Sequence, residues 1–439
     1  MSLLFVLAAL SLGAPASAAP PVQAVSAEQP ASAPAPAAAY DTLRAPPISP
    51  GDEPMRFEIE PVELTESGTW LRAPFGDNLL TDPAQWRAQR SRSELGKFRF
   101  DYNRVDLVRA GLSVELQNPY TMAPRLGGMY EYSFGRDRAL YGVQLEQPLA
   151  PPGRLALGAS IVRRSDHSEL QQVDNLENSL ALLLGRQDYR DYFEREGYGV
   201  YLSWRVPDFS TVSVHWRKDD YRSLAKQPRV YSFFDQDGDL RENPAIDDGT
   251  MRAVLIRLER VTQTSYRTRA GLYHWIELTR AGGQLGGDFD FTRALADVRG
   301  VMRLSPATTL STRAVFGTTA DGSLPLQSQF TAGGVDGLRA HAFSQYRGDQ
   351  MALAQAEYDI GLWPVKSGWV PGGLHAIGFM DAGRAWFNPD HLWDIGRQHL
   401  AVDAGFGFAA SEDGLRVYFA KNLQTGGAFV TSFRLQRPF

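Results

Sequence analysis

The chain has no cysteine among its 439 residues. That removes disulfides, thiolate metal ligands and cysteine nucleophiles, and it agrees with an exported protein that has no disulfide framework. It also has no apolar run long enough to cross a bilayer as a helix, which takes about 20 residues. The stretch nearest to one, Leu3 to Leu12, is too short. Ala16-Ser17-Ala18 follows it as an A-x-A cleavage pattern, so residues 1–18 are expected to be a signal peptide, without the usual basic residue in front. A dominant charge is missing too. With 45 basic and 50 acidic residues the formal net charge is −5, which offers nucleic acid no basic face. The seven histidines (His167, His215, His274, His341, His375, His391 and His399) form no H-E-x-x-H or comparable ligand spacing, and there is no G-x-S-x-G. The residues therefore predict no metal, no cofactor and no enzyme. Asp235, Asp237 and Asp239 alternate as a calcium loop's ligands do, but Gly238 falls at the fourth position and Ile246 stands where a glutamate is needed. They read as a solvated acidic turn.

What is present is glycine, at 41 residues, and aromatics, at 11% of the chain, as a curved membrane-facing sheet uses. Residues 19–50 are a Pro/Ala-rich linker, and 51–96 a short periplasmic segment too small for a secure domain of its own. From about Phe98 the pattern becomes segments of about ten residues with period-two alternation. Val108, Ala110, Leu112, Val114 and Leu116 share one face, while Arg109, Ser113 and Glu115 share the other. Similar faces are Leu155/Leu157/Ala159/Ile161, Tyr198/Val200/Leu202/Trp204 and Val254/Ile256/Leu258. The opposite faces often carry charge, including Arg293, Asp297, Arg299, Glu357, Asp381 and Arg416. So many charges would be costly in a dry sandwich core, whereas a wet barrel lumen avoids that cost.

Connections alternate between short (150–153, 207–208, 305–306) and long (165–196, 219–249, 319–349), as outer-membrane barrels do. Fifteen strands can be counted from residue 106 onward. Even strand number and a periplasmic start call for one more, and 93–104 is the candidate. The prediction is an all-β transmembrane antiparallel barrel over 97–439 with 16 strands, 14 or 12 being the next counts. Asn178 to Glu196 carries Leu180, Leu183, Leu184 and Tyr192 at helical spacing and ends at Gly197, which suggests a loop helix capping the barrel.

The C-terminal third narrows the class. Residues 333–343 read Gly-Gly-Val-Asp-Gly-Leu-Arg-Ala-His-Ala-Phe, followed by Arg347-Gly348-Asp349. Phe379-Met380-Asp381-Ala382-Gly383 forms an F-x-D-x-G strand, Gly405-Phe406-Gly407 a G-x-G, and the chain ends in Phe439. In this order and spacing they resemble the BamA/TamA-like (bacterial surface antigen) superfamily, over roughly residues 98–439. Tyr102-Asn103-Arg104-Val105 and Asn243-Pro244-Ala245-Ile246-Asp247-Asp248-Gly249 also resemble family segments, with lower specificity. Ala340 and His341 depart from the family's glycine and aromatic, and residues 19–96 leave no room for its periplasmic POTRA domains.

The resemblance implies a long loop folded into the lumen, carrying Gly333, Gly334, Gly337, Leu338, His341 and Phe343. It also implies strand motifs at Phe379, Gly383, Gly405 and Gly407, and a C-terminal assembly signal at Phe433, Leu435 and Phe439. It further implies an outer-membrane location, contact with outer-membrane lipids and lipopolysaccharide, insertion by the barrel-assembly machinery, and work on unidentified client proteins or lipids across a weak seam between first and last strands. The alternatives are a passive pore for small solutes and a surface antigen. Physically, a loop in a lumen needs an anchor. A guanidinium fork matches a carboxylate, so Arg339 is expected to meet Asp381, with the glycines leaving space on the wall. In a wet lumen that pair would fix position while adding little net stability.

Overall fold

The computed structural model describes residues 94–116, 122–150, 155–206, 210–234, 240–260, 271–305, 307–363, 373–388, 395–410 and 415–435. The signal peptide, the linker, nearly all of 51–96, the acidic turn at 235–239 and Phe439 lie outside them.

Alternation turns into strands wherever it was read, and the missing strand falls where parity demanded it. The chain forms β1 (Glu94–Asn103), β2 (Leu107–Leu116), β3 (Arg125–Ser133), β4 (Arg138–Ala150) and β5 (Leu155–His167). Helix α1 (Asn175–Gly185) precedes β6 (Tyr192–Arg205), β7 (Thr211–Ser223), β8 (Gly249–Arg260), β9 (Gly271–Ala281), β10 (Phe291–Ser305) and β11 (Thr308–Gly322). A small loop hairpin, β12 (Phe330–Ala332) and β13 (Tyr346–Gly348), leads to β14 (Gln350–Trp363), β15 (Leu374–Trp386), β16 (Ala401–Ala410), β17 (Leu415–Asn422) and β18 (Val430–Leu435). All but β12 and β13 join one 16-stranded sheet, antiparallel between successive neighbours, with β11 next to β14. Its two outer strands, β1 and β18, share no ladder among the described residues.

The two faces differ as the alternation requires. Phe98 (68% exposed), Leu112, Tyr130, Leu157, Trp204, Ile256 and Phe408 project from one face with no protein cover. An apolar surface this extensive suits lipid. On the other face the charges are buried and paired rather than bathed in a channel. Asp297 accepts from Arg299 at 3.0 Å and from Arg313 at 2.8 Å, and Arg99 donates to Glu131 at 2.7 Å. The expectation of a wet, weakly coupled lumen is thus corrected. Loops and neighbouring strands crowd this side, and these guanidinium groups exchange water for carboxylates.

The long connections run over 168–191, 224–248 and 323–349, shorter than the alternation suggested, because the ladders continue past the lipid-facing part. Arg163 to His167, for example, still pair with Glu196 to Tyr192. For the same reason α1 ends eleven residues before Glu196, and Tyr192 opens a strand. The helix starts at an Asp174 cap, whose carboxylate accepts from the Leu176 amide at 2.9 Å. It stops at Arg186, held left-handed at φ 55°, with the Gln187 amide bonded back to the Ala181 carbonyl.

Candidate functional site

The loop between β11 and β14 folds back against the inner wall. Gly333 (φ +123°) and Gly334 (φ +83°) adopt backbone that side chains resist, and the Gly334 amide donates to the Leu338 and His341 carbonyls, both at 3.1 Å. This tight turn projects Arg339 into the sheet. Its Nε and Nη2 donate to the two Asp381 oxygens at 3.0 and 3.1 Å, a fork-to-fork pair. Nη1 reaches Glu357 on β14 at 3.2 Å, and the guanidinium lies over the rings of Phe379 (4.0 Å) and Tyr418 (4.6 Å). Arg339 is 2% exposed and Asp381 not at all. The Glu357 carboxylate also accepts from Arg416 and, at 3.0 Å, from the Tyr418 hydroxyl. The sequence suggested one carboxylate, and the geometry holds two carboxylates and two rings. Glu357 was legible as an inward charge, but its meeting with Arg339 follows from strand register.

The two departures at the loop tip have their own partners. The Ala340 amide donates to Asp403 at 2.8 Å, and Ala340 has no positive φ, so its Cβ carries no conformational penalty. His341 lies 3.1 Å from the same Asp403 oxygen through Nδ1 and 2.9 Å from Asn422 through Nε2. Leu338 is fully buried, and Phe343 sits under the Arg241 guanidinium at 4.3 Å. The wall glycines do a different job from the one expected. A Cβ on Gly405 would stand 2.7 Å from the Phe379 ring and 2.1 Å from the Phe419 carbonyl, and one on Gly407 would stand 2.9 Å from Tyr418. On Gly383 it would meet the β14 backbone. The space goes to the rings that carry Arg339 and to the neighbouring strands, so the loop gains from it indirectly. Gly405→Val is expected to displace Phe379 and cost about 1–3 kcal/mol by overpacking. The denaturant midpoint of refolded protein in micelles checks this, and an unshifted midpoint would remove Gly405 from the account.

A second constellation lies around the β1–β2 turn, at the same end of the sheet as the 323–349 connection. Arg104, in the β1–β2 turn, pairs with Asp188 at 3.3 Å and Asp191 at 3.1 Å, and donates to Asn243 at 3.1 Å. Asn243 in turn accepts from the Tyr192 amide at 2.9 Å. The two weaker family-like segments, 102–105 and 243–249, thus meet each other through Arg104. Next to it, burial works to raise the Asp106 carboxyl, but Arg136 and Arg109, helped by the Ser165 and Ser133 hydroxyls, hold it below the ordinary carboxylate range.

A profile of the Omp85 superfamily domain matches residues 102–408. The chain belongs to the Omp85 superfamily. Among solved structures, this Omp85 barrel is similar to BamA from Haemophilus ducreyi lacking POTRA domains 1-3, at 14% identity with a TM-score of 0.53, over 86% of this chain and 76% of that one. It is also similar to CdiB from Acinetobacter baumannii and from Escherichia coli, both at 12% identity and a TM-score of 0.41, over 77% of this chain and 58% and 62% of theirs. A search of curated proteins finds no match. The profile covers both lumen partners of the anchor, Arg339 and Asp381, and the BamA likeness shows the fold: a BamA/TamA-like barrel of outer-membrane type.

Proposed function

We propose that this Omp85 barrel resides in the outer membrane of a Gram-negative-type bacterium and inserts or moves polypeptide there, at the junction of its outer strands. One observation carries the reading: β1 and β18 share no ladder among the described residues, while the 323–349 loop is tied into the lumen by Arg339. A pore for solutes wants a clear lumen and a sealed wall, and this arrangement favours the reverse. Outer-membrane lipids and lipopolysaccharide would meet the apolar face, the barrel-assembly machinery would place the chain in the membrane, and its clients are other envelope polypeptides. No covalent chemistry is assigned to it.

The test is depletion of the protein in its source bacterium, followed by a comparison of outer-membrane proteomes. A loss of at least one other barrel, restored by the intact gene, is the expected result. An unchanged proteome, together with steady conductance of the purified protein in a planar bilayer, would overturn the reading in favour of a passive pore.

A further inference from the structure

Helix α1 is tied to both outer strands of the sheet, which share no ladder among the described residues. On β1, the Tyr102 amide points away from β2 and donates to the Ser179 hydroxyl at 2.8 Å, while that hydroxyl donates to Asp101 at 3.2 Å. On β18, the Leu435 amide points away from β17 and donates to a Glu177 oxygen at 3.1 Å. The other Glu177 oxygen pairs with Arg434 at 2.9 Å. Glu177 and Ser179 stand two residues apart on one helix, a rise of about 3 Å. Two strand edges more than three hundred residues apart in sequence are therefore brought to the same turn of helix.

An edge amide ordinarily finds its acceptor on the next strand. Here the acceptors are side chains of α1, and that explains an inversion in the helix. Glu177, Asn178 and Ser179 are buried, whereas Leu176 and Leu184 are exposed. Ala181 shares a cluster with Val173, Tyr189 and Val335 against which Phe433 of β18 packs. Leu182 shares another with Tyr102, Val230 and Leu240. Tyr102 stands on the same face of β1 as the lipid-facing Phe98 and Phe100, so this second cluster lies at the outer side of β1. The helix thus touches the last strand through one group of side chains and the outer side of the first through another.

We propose that α1 is a resident wedge that occupies the place of a pairing strand, and that it must withdraw before either edge can take up an extended polypeptide segment. Strand addition to an open edge needs the amides that α1 now holds. The client in this statement rests on the reading under Proposed function, whereas the position of the wedge does not.

Two measurements keep these apart. In micelles, Ser179→Ala is expected to speed amide exchange at Tyr102 about tenfold, and Glu177→Ala to do the same at Leu435, with the β9–β10 ladder unchanged in both. Unchanged exchange at both edges would overturn the wedge whatever the protein does. The chain has no cysteine, so the pair Asp101→Cys and Ser179→Cys can be bridged without background, by oxidation or a short bifunctional thiol reagent. The bridged protein is expected to fail to rescue the depleted strain, and cleavage of the bridge to restore rescue. Rescue by the bridged form would show that α1 need not move and would overturn the proposal. If depletion itself leaves the proteome unchanged, the function reading fails, and the exchange data still decide the wedge.

Discussion

Arg339→Ala is expected to release the 323–349 loop from the wall and to cost about 3–5 kcal/mol, the range for breaking a buried pair by removing one partner. The reason is what stays behind. Asp381 and Glu357 are buried, and without the guanidinium both would be desolvated carboxylates facing each other's field. The Phe379 and Tyr418 rings would also lose the cation lying over them. Arg339→Lys should recover little, because an ammonium cannot present the two parallel donors that Asp381 accepts. Limited proteolysis of the folded protein checks this: new cleavage is expected within 323–349 in the alanine variant. A loop equally resistant in wild type and variant would show that Arg339 is not what anchors it. A double variant, Arg339→Met with Asp381→Leu, should be milder than the single one, since it removes the stranded charge along with its partner.

Arg104→Ala is expected to have a comparable effect at the other constellation. Its guanidinium is wholly buried and holds two segments against its own turn: the 186–191 stretch through Asp188 and Asp191, and the 224–248 connection through Asn243. Its backbone takes part as well, since the Arg104 amide donates to Asp188 at 3.0 Å and its carbonyl accepts from the Gln227 amide at 2.9 Å. Those two bonds survive the substitution, so the turn should persist while the loops around it loosen. The expected loss is about 3–5 kcal/mol, with faster amide exchange confined to 186–192 and 240–245. Uniformly faster exchange over the whole sheet would argue that Arg104 supports the strands rather than the cap.

The sheet was legible because its physics is local. Each strand records its two environments in alternate residues, and the sixteenth strand followed from parity alone. Arg339 and Asp381 were legible because a loop motif and a strand motif each carry one charge of a fork pair. The rest depends on register and closure. Whether Glu357 or Gln355 faces Arg339 is set by how far β14 slides along β15, which no residue pattern states. Glu177 and Ser179 were invisible for a sharper reason. Read by helical periodicity, the leucines of α1 should be buried and its polar residues exposed, and the structure has several of them the other way round. The signal was present as a glutamate, asparagine and serine in an otherwise aliphatic turn, but its meaning requires the 258-residue separation that the Glu177–Leu435 bond spans. Phe433 and Leu435 lie on β18, and both take part in its contact with α1.

The stretch 230–234 touches both sides of this arrangement. Its Phe233 amide bonds the Leu183 carbonyl of α1 at 2.7 Å, its Tyr231 amide and carbonyl both bond the Tyr102 hydroxyl of β1 at 2.8 Å, and it leaves Tyr231, Phe233 and Phe234 exposed. An antibody gripping those three rings would therefore be thermodynamically linked to the helix beneath. A binder selected against the docked form would stiffen it, one selected against the released form would favour release, and whatever draws the helix away would weaken or tighten the antibody by the same factor.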